Sequence, residues 1–417
     1  MTDKKSLIAW ALYDWANSAF PTVVITFVFA AYFTKGVAAN EVIGTSQWGY
    51  AMSLSAFAVA MVAPALGAIA DVGGRRKPWL AFFTLIAILA SAALWQVRPD
   101  VSYVMLALTL AAVGNFAFET GMVFYNAMLP DISPRQMIGR ISGWGWGLGY
   151  AGGLSCLALT LVGFAQAETP WFGLDKEAAE HLRATPVLVA AWFGVFSLPL
   201  FVWTQDNPSR NLSYGVAITN GWKTLLQTLR QVRQYGQIMR YLIARMIYTD
   251  GLNTLFAFGG IYAVGTFGMS FTELIMFGIA INVTAGIGAA VFAWMDDSLG
   301  PKRVIYMALA ALSVLGVILL LIESKTLFWV FGVPLGFFVG PAQAASRSLM
   351  AHLAPVEIRT EMFGLYAFSG KATAFLGPAV LALATDIFQS QRAGMATIMV
   401  FFIVGGLLLV PVVDARR

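Results

Sequence analysis

The chain has 417 residues, of which 59% are hydrophobic and 11% charged, and its mean hydropathy is +0.74. A soluble domain carries about 25% charged residues, so these values exclude a water-soluble fold and make lipid the main solvent. The net charge of +5 is not a nucleic-acid signal, because nearly all the basic residues sit in loops between apolar runs.

Twelve apolar runs follow one another, at about 7–34, 46–70, 79–97, 101–129, 141–165, 186–203, 240–266, 272–295, 304–322, 326–351, 361–386 and 392–413. Each has roughly the 20 residues needed to cross a hydrocarbon core of about 30 Å. Backbone amides in lipid need internal partners, so the runs are predicted to be helices, here called spans 1 to 12. The expected fold class is an all-α integral membrane protein with two six-helix bundles. Span 1 is too long for a signal-peptide core, holds Asp14 and has no small-residue cleavage site after it, so it stays as a span. The one cysteine, Cys156, lies in an apolar run, which leaves no disulfide framework. His181 is in a loop and His352 at a helix end, so neither an imidazole metal centre nor a cofactor is expected.

Twelve spans put both termini and the loops before spans 3, 5, 7, 9 and 11 on one side. That side holds seventeen Lys and Arg, against six (Lys35, Arg98, Lys176, Arg183, Lys325, Arg392) on the other. The bias predicts cytoplasmic termini for a monomeric, multi-pass protein of the cell (plasma or inner) membrane. A polar stretch, 204–239, separates residues 1–203 from 240–417. Within it Trp222, Leu225, Leu226, Leu229 and Val232 share a helical face, with Lys223, Arg230 and Arg233 elsewhere, which predicts an amphipathic helix lying at the inner surface.

Internal repeats relate the halves. "YDWANSAF" (13–20) in span 1 matches "TDGLNTLF" (249–256) in span 7 at a spacing of 236, pairing Asp14 with Asp250, Asn17 with Asn253 and Ser18 with Thr254. "GAIADVGGRRK" (67–77) matches "DSLGPKR" (297–303), pairing Asp71 with Asp297. Pro134 to Gly143 matches Pro355 to Gly364 at an offset of 221. Two halves in the same orientation are the parallel-repeat transporter plan, with a site near the bilayer midplane between them.

Six charges lie inside spans: Asp14, Glu119 and Asp250 against Arg245, Arg347 and Lys371. Each costs about 2.5–3.5 kcal/mol on insertion scales and is rare without a role; the equal numbers predict mutual pairing around an aqueous cavity. Arg245, five residues into span 7, is also within snorkelling reach of the cytoplasm, and Arg347 near the inner end of span 10 has the same alternative. Asp14 reads equally as a gate residue or a substrate ligand. Span 4 carries Asn115, Glu119, Met122 and Asn126 at i, i+4, i+7 and i+11, one face of a helix. Span 10 presents Gln343 and Arg347 at the positions matching Met122 and Asn126. Asn17, Asn253, Asn282 and Gln343 add neutral donors and acceptors suited to a zwitterion or another small polar solute. A carboxylate moved between dry and wet settings, near to and far from a base, changes its proton affinity. Glu119 is the first candidate for such a proton carrier and Asp250 the second. Pro334, Gly336, Gly340 and Pro341 are expected to let span 10 bend as a gate.

At these residues a family resemblance emerges. Gly67-x3-Asp71-x2-Gly74-Arg75-Arg76, with its weaker copy around Asp297, resembles the helix 2–3 loop motif of the major facilitator superfamily. "YDWANSAF" is similar to the signature of the vacuole-effluxer (autophagy-protein-22-like) family within it. The resemblance implies that spans 1, 4, 7 and 10 line a central cavity. It also implies that Asp71, Arg75, Arg76 and Asp297 gate the cytoplasmic side: Gly67 permits close packing, Asp71 meets a neighbouring helix N-terminus, and the arginines hold that carboxylate or reach lipid phosphates. Founding fungal members are implicated in exporting amino acids from the vacuole. The expected function is a secondary transporter, not an enzyme, that moves an amino acid or similar metabolite, either coupled to protons as partner or as a uniporter. Two other readings compete. A multidrug-type exporter would use an apolar cavity with one or two acids. A copper importer of cytochrome oxidase assembly would carry Met-x3-Met in span 7 and His-x3-Met in span 8. Here Met246 is followed by Asp250 and Met276 by Ala280, so soft-ligand copper binding is disfavoured.

Overall fold

The computed structural model describes residues 4–208, 214–230 and 235–413. Arg210, Val232, Arg233, Arg416 and Arg417 lie outside the described residues. Among the described residues all regular elements are helical. Spans 1 to 6 are Lys4–Val37, Ile43–Gly73, Lys77–Gln96, Val101–Ile132, Arg135–Ala165 and Glu180–Trp203. Spans 7 to 10 are Gly236–Phe267, Phe271–Leu299, Pro301–Leu321 and Lys325–Leu353. Span 11 comes as two pieces, Arg359–Ser369 and Leu376–Phe388, and span 12 is Gln391–Leu409. A linker helix, Tyr214–Arg230, precedes span 7 with Trp222 and Leu226 exposed.

Ten of these helices are long and apolar enough to cross a membrane. Spans 7 and 11 fall short for reasons written in their sequences. Arg240, Arg245, Asp250 and Asn253 interrupt the apolar run of span 7. Span 11 is interrupted at 370–375, in turn conformation. Pro378 explains the interruption, since its ring takes away the amide that would bond the carbonyl of Ala374 and crowds that carbonyl. It is tolerated in the first turn of the second piece.

The chain forms two compact units. One comprises 1–62, 73–128 and 148–212; the other comprises 63–72, 129–147 and 213–417. In the first unit, spans 1 and 4 are tied by an aromatic clasp. Trp10 stacks on Tyr125 with ring centroids 4.5 Å apart. The Trp10 indole donates to the Tyr125 carbonyl at 3.1 Å and the Tyr125 hydroxyl donates to the Trp10 carbonyl at 2.9 Å. Tyr13 stacks on the other side of Tyr125 and its hydroxyl meets Thr84 of span 3 at 2.6 Å. These contacts fix the turn of span 1 that bears Asp14 and Asn17. Just beyond, Pro21 deprives the Asn17 carbonyl of its helical donor, the α-helix ends at Asn17, and Phe20–Phe27 continues as a wider π-helix.

In the second unit span 10 is one helical element, Lys325–Leu353, with Pro334 and Pro341 inside it. Gly336 and Gly340 admit span 8: a methyl group on either would overlap the carbonyls of Ile281 and Ala285. Thr284 Oγ1 of span 8 donates to the Val333 carbonyl, just before Pro334, at 2.9 Å.

Trp10→Ala deletes a fully buried ring and should cost about 3–5 kcal/mol. Tyr125→Phe loses one hydrogen bond and should cost about 0.5–1.5 kcal/mol. Thermal midpoints in detergent check the order; equal losses would mean that the stacking contributes nothing of its own.

Candidate transport site

The polar residues of the spans fall into three groups. The first is on spans 1, 2 and 4 in the first unit. Asn17 Nδ2 lies 3.4 Å from the Met122 sulfur, and Asn115 Nδ2 donates to Ser55 Oγ at 3.0 Å. Glu119 is half-buried and Asn126 buried on the same helix. Asp14 is buried where span 1 meets span 5, with its Cβ beside Gly149. Span 1 comes this close because Gly149, Gly152 and Gly153 carry no side chain; a methyl on Gly152 would overlap the Trp15 carbonyl.

The second group surrounds the break in span 11. Arg245 donates to the Tyr366 carbonyl and to Ser369 Oγ, both at 2.7 Å, and its guanidinium lies 3.5 Å over the Tyr366 ring. It therefore occupies the carbonyl end of the first piece, where a helix dipole favours a cation. Asp250, five residues on and 1% exposed, accepts the Gly377 amide on Oδ2 at 3.0 Å. That is the amide end of the second piece, where the dipole favours an anion. The two charges thus do not pair with each other, as their equal numbers had suggested. The broken helix supplies the counter-charges instead. Lys371 is half-buried within the break.

The third group closes the end that carries the basic loops, within the second unit. Asp71 accepts Thr360 Oγ1 at 2.6 Å and the Glu361 amide at 2.8 Å, at the start of span 11. Asp297 accepts the Arg140 amide at 3.1 Å and lies 3.2 Å from its guanidinium, at the start of span 5. The pair of matched acids thus caps a pair of matched helices. Arg359 bonds Asp131. Arg347, 1% exposed, donates to Ser142 through Nε at 2.9 Å and Nη2 at 2.6 Å and lies over Trp146. Gly67 and Gly364 let spans 2 and 11 touch: a methyl on Gly67 would overlap the Thr360 carbonyl, and one on Gly364 would meet the Ala63 carbonyl at 2.6 Å.

The basic half of the loop motif is used differently from the acids. Arg75 is exposed, whereas Arg76 is buried and donates to the Ala127 carbonyl at 3.2 Å. Lys77 donates to the carbonyls of Phe201 and Thr204, both at 2.7 Å, ending span 6. Lys302 does the same for span 12 through Val410 and Val412. In each half, then, the motif acid caps one helix start and the motif lysine caps one helix end.

Of the other residues singled out by sequence, Asn253 is exposed, Gln343 half-buried, and Asn282 bonds the Gly278 carbonyl of its own helix at 2.8 Å. Asp250 and Lys371 are brought to one break; Arg347 goes to the closed end. Sequence reasoning missed Thr254 as more than a repeat match, and missed Gly377, Ser142, Thr360 and Asp131. Only Gly377 had a legible signal, the proline after it.

Asp71→Asn removes a charge-assisted contact worth about 1.5–3 kcal/mol and presents an amide donor to the Glu361 N–H. The closed end should open more often. A cysteine at Ala344, now 4% exposed, should react faster with a maleimide in this variant; an unchanged rate with normal folding would reduce Asp71 to a loop staple.

The family described as vacuole effluxer Atg22 like matches residues 35–138 and 133–417. An uncharacterized MFS-type transporter, YxiO of Bacillus subtilis, is 29% identical over 408 residues, covering 96% of this chain and 93% of its own. Autophagy-related protein 22 of Yarrowia lipolytica is 24% identical over 345 residues, covering 74% of this chain; the match spans 56% of that longer relative. The proton:xylose symporter XylE superposes with a TM-score of 0.77 at 11% identity, over 98% of this chain and 96% of that one, which shows a common fold. The two six-helix bundles, the repeat-related motifs and the family match converge: this chain belongs to the vacuole effluxer (Atg22-like) family of the major facilitator superfamily, multi-pass membrane proteins that carry out secondary transport of small molecules and are not enzymes.

Proposed function

We propose that the protein moves a small polar organic solute, an amino acid or similar metabolite, by alternating access coupled to protons. The observation that carries this reading is the polar face of span 4. Asn115, Glu119 and Asn126 share it, and Asn17 of span 1 reaches it at Met122. Amides that donate and accept suit an ammonium and a carboxylate alike. The fungal relatives are vacuole effluxers by family and a fold neighbour is a proton:xylose symporter, both in keeping with polar cargo and a proton partner.

Residues 1–203 and 240–417 act as the two rocking halves, joined by 204–239, in a monomer of the cell membrane with both termini cytoplasmic. On that topology the closed end is the cytoplasmic one, and Asp71, Asp297 and their partners are its latch. Glu119 carries the coupling proton, with Asp250 the second acid of the cycle.

Glu119→Gln keeps the shape and fixes the neutral state. In proteoliposomes this variant should still exchange labelled amino acid across the membrane, yet accumulate none when a pH gradient is imposed. Gradient-driven accumulation at the wild-type level would remove Glu119 from that role, and exchange of hydrophobic drugs in place of amino acids would favour a multidrug exporter.

A further inference from the structure

The break in span 11 leaves two buried oxygens without a partner. Asp250 spends Oδ2 on the Gly377 amide, while its Oδ1 and the Thr254 hydroxyl, one turn on along span 7, have no hydrogen bond. Both oxygens converge on the same place: a methyl group built on Gly377 would overlap Thr254 Oγ1 and stand 3.0 Å from Asp250 Oδ1. Asp250 is 1% exposed and Thr254 fully buried.

Charge bookkeeping points the same way. An isolated carboxylate out of water is costly unless something positive meets it. The amide end of the Leu376–Phe388 helix supplies roughly half a unit charge, which leaves the other half uncompensated. Among the described residues no cation pairs with Asp250. The titratable groups that spans 7 and 11 carry in this part of the sequence are Arg245 and Tyr248, Tyr366 on the first piece of span 11, and Lys371 in the break. Arg245 is engaged with Tyr366 and Ser369. The Tyr248 hydroxyl meets Ser346 of span 10 at 2.8 Å. On span 12, Phe401 and Phe402 pack beside Gly251, the residue that follows Asp250.

We propose that Asp250 Oδ1 and Thr254 Oγ1 form a binding site for one small monovalent cation, a proton or Na⁺, set at the break of span 11 and separate from Glu119. Two oxygens, one of them charged, suit either ion: a proton on Oδ1 satisfies the carboxylate and gives Thr254 a donor to accept, and Na⁺ takes both as ligands. Occupancy weakens the hold of Asp250 on Gly377, since a neutralised carboxylate is a poorer acceptor than an ionised one. The second piece of span 11 is thereby released to move relative to span 7. This rests on the transporter reading for its purpose, but its test does not use transport.

The purified protein is unfolded thermally in choline chloride and in NaCl at pH 8, and in choline chloride at pH 8 and pH 5.5. A Na⁺ site raises the midpoint in NaCl by about 2–4 °C, an effect lost in Asp250→Asn and in Thr254→Val. A proton site shows no Na⁺ effect but a gain on acidification that Asp250→Asn lacks and Thr254→Val reduces. Identical responses of wild type, Asp250→Asn and Thr254→Val to both Na⁺ and pH overturn the proposal. Should Asp250→Asn fail to fold, Thr254→Val alone decides by the same comparison. Failure of amino-acid uptake with the cation response intact would count against the transport reading and leave the site standing.

Discussion

Helix ends set the terms for this structure. A helix leaves four amides and four carbonyls without internal partners at its two ends, and a bundle in lipid has little water to offer them. The chain answers with charges borrowed from other helices. Asp71 serves the start of the first piece of span 11 and Asp250 the start of the second. Asp297 serves the start of span 5. Lys77, Lys302 and Arg245 serve the carbonyl ends of span 6, span 12 and the first piece of span 11. Six charges of a sparingly charged protein are thus spent on helix termini, and each ties two spans together in the process.

The contacts at the end that carries the basic loops are of the same capping kind. Asp71 and Thr360 are 289 residues apart in sequence and 2.6 Å apart in space. Their contact requires the close approach that Gly67 and Gly364 permit. Arg347 and Ser142, Arg140 and Asp297, and Arg359 and Asp131 repeat the theme on neighbouring helices. Buried charges of this kind are strong only while fully partnered, because separation exposes each to its desolvation cost.

The halves share a plan and break it in different places. In the first, span 1 changes from α to π geometry at Pro21 while span 5 runs on from Ile138 to Thr160. In the second, span 7 is continuous and its partner, span 11, is interrupted before Pro378. The repeated Asp is therefore asked for different things. Asp14 packs its Cβ against Gly149, whereas Asp250 holds the amide end of a half-helix. Equivalent residues have diverged because a proline sits on opposite members of the helix pair.

The sequence by itself determined the membrane class, the span count and the repeat. Apolar runs of the right length leave the backbone no alternative to helices, and matched acids at fixed spacing survive in plain text. The helix N-terminus for Asp71 was what the family resemblance implied, and Asp71 accepts the Glu361 amide. Only tertiary structure decided which helix each charge serves. Arg245 donates to Tyr366 and Asp250 accepts the Gly377 amide, at the two facing ends of the broken span 11, and Arg347 donates to Ser142 of span 5. Periodicity places a residue on a face of its own helix, but the counter-charge comes from a helix more than a hundred residues away, and nothing local in the sequence names it.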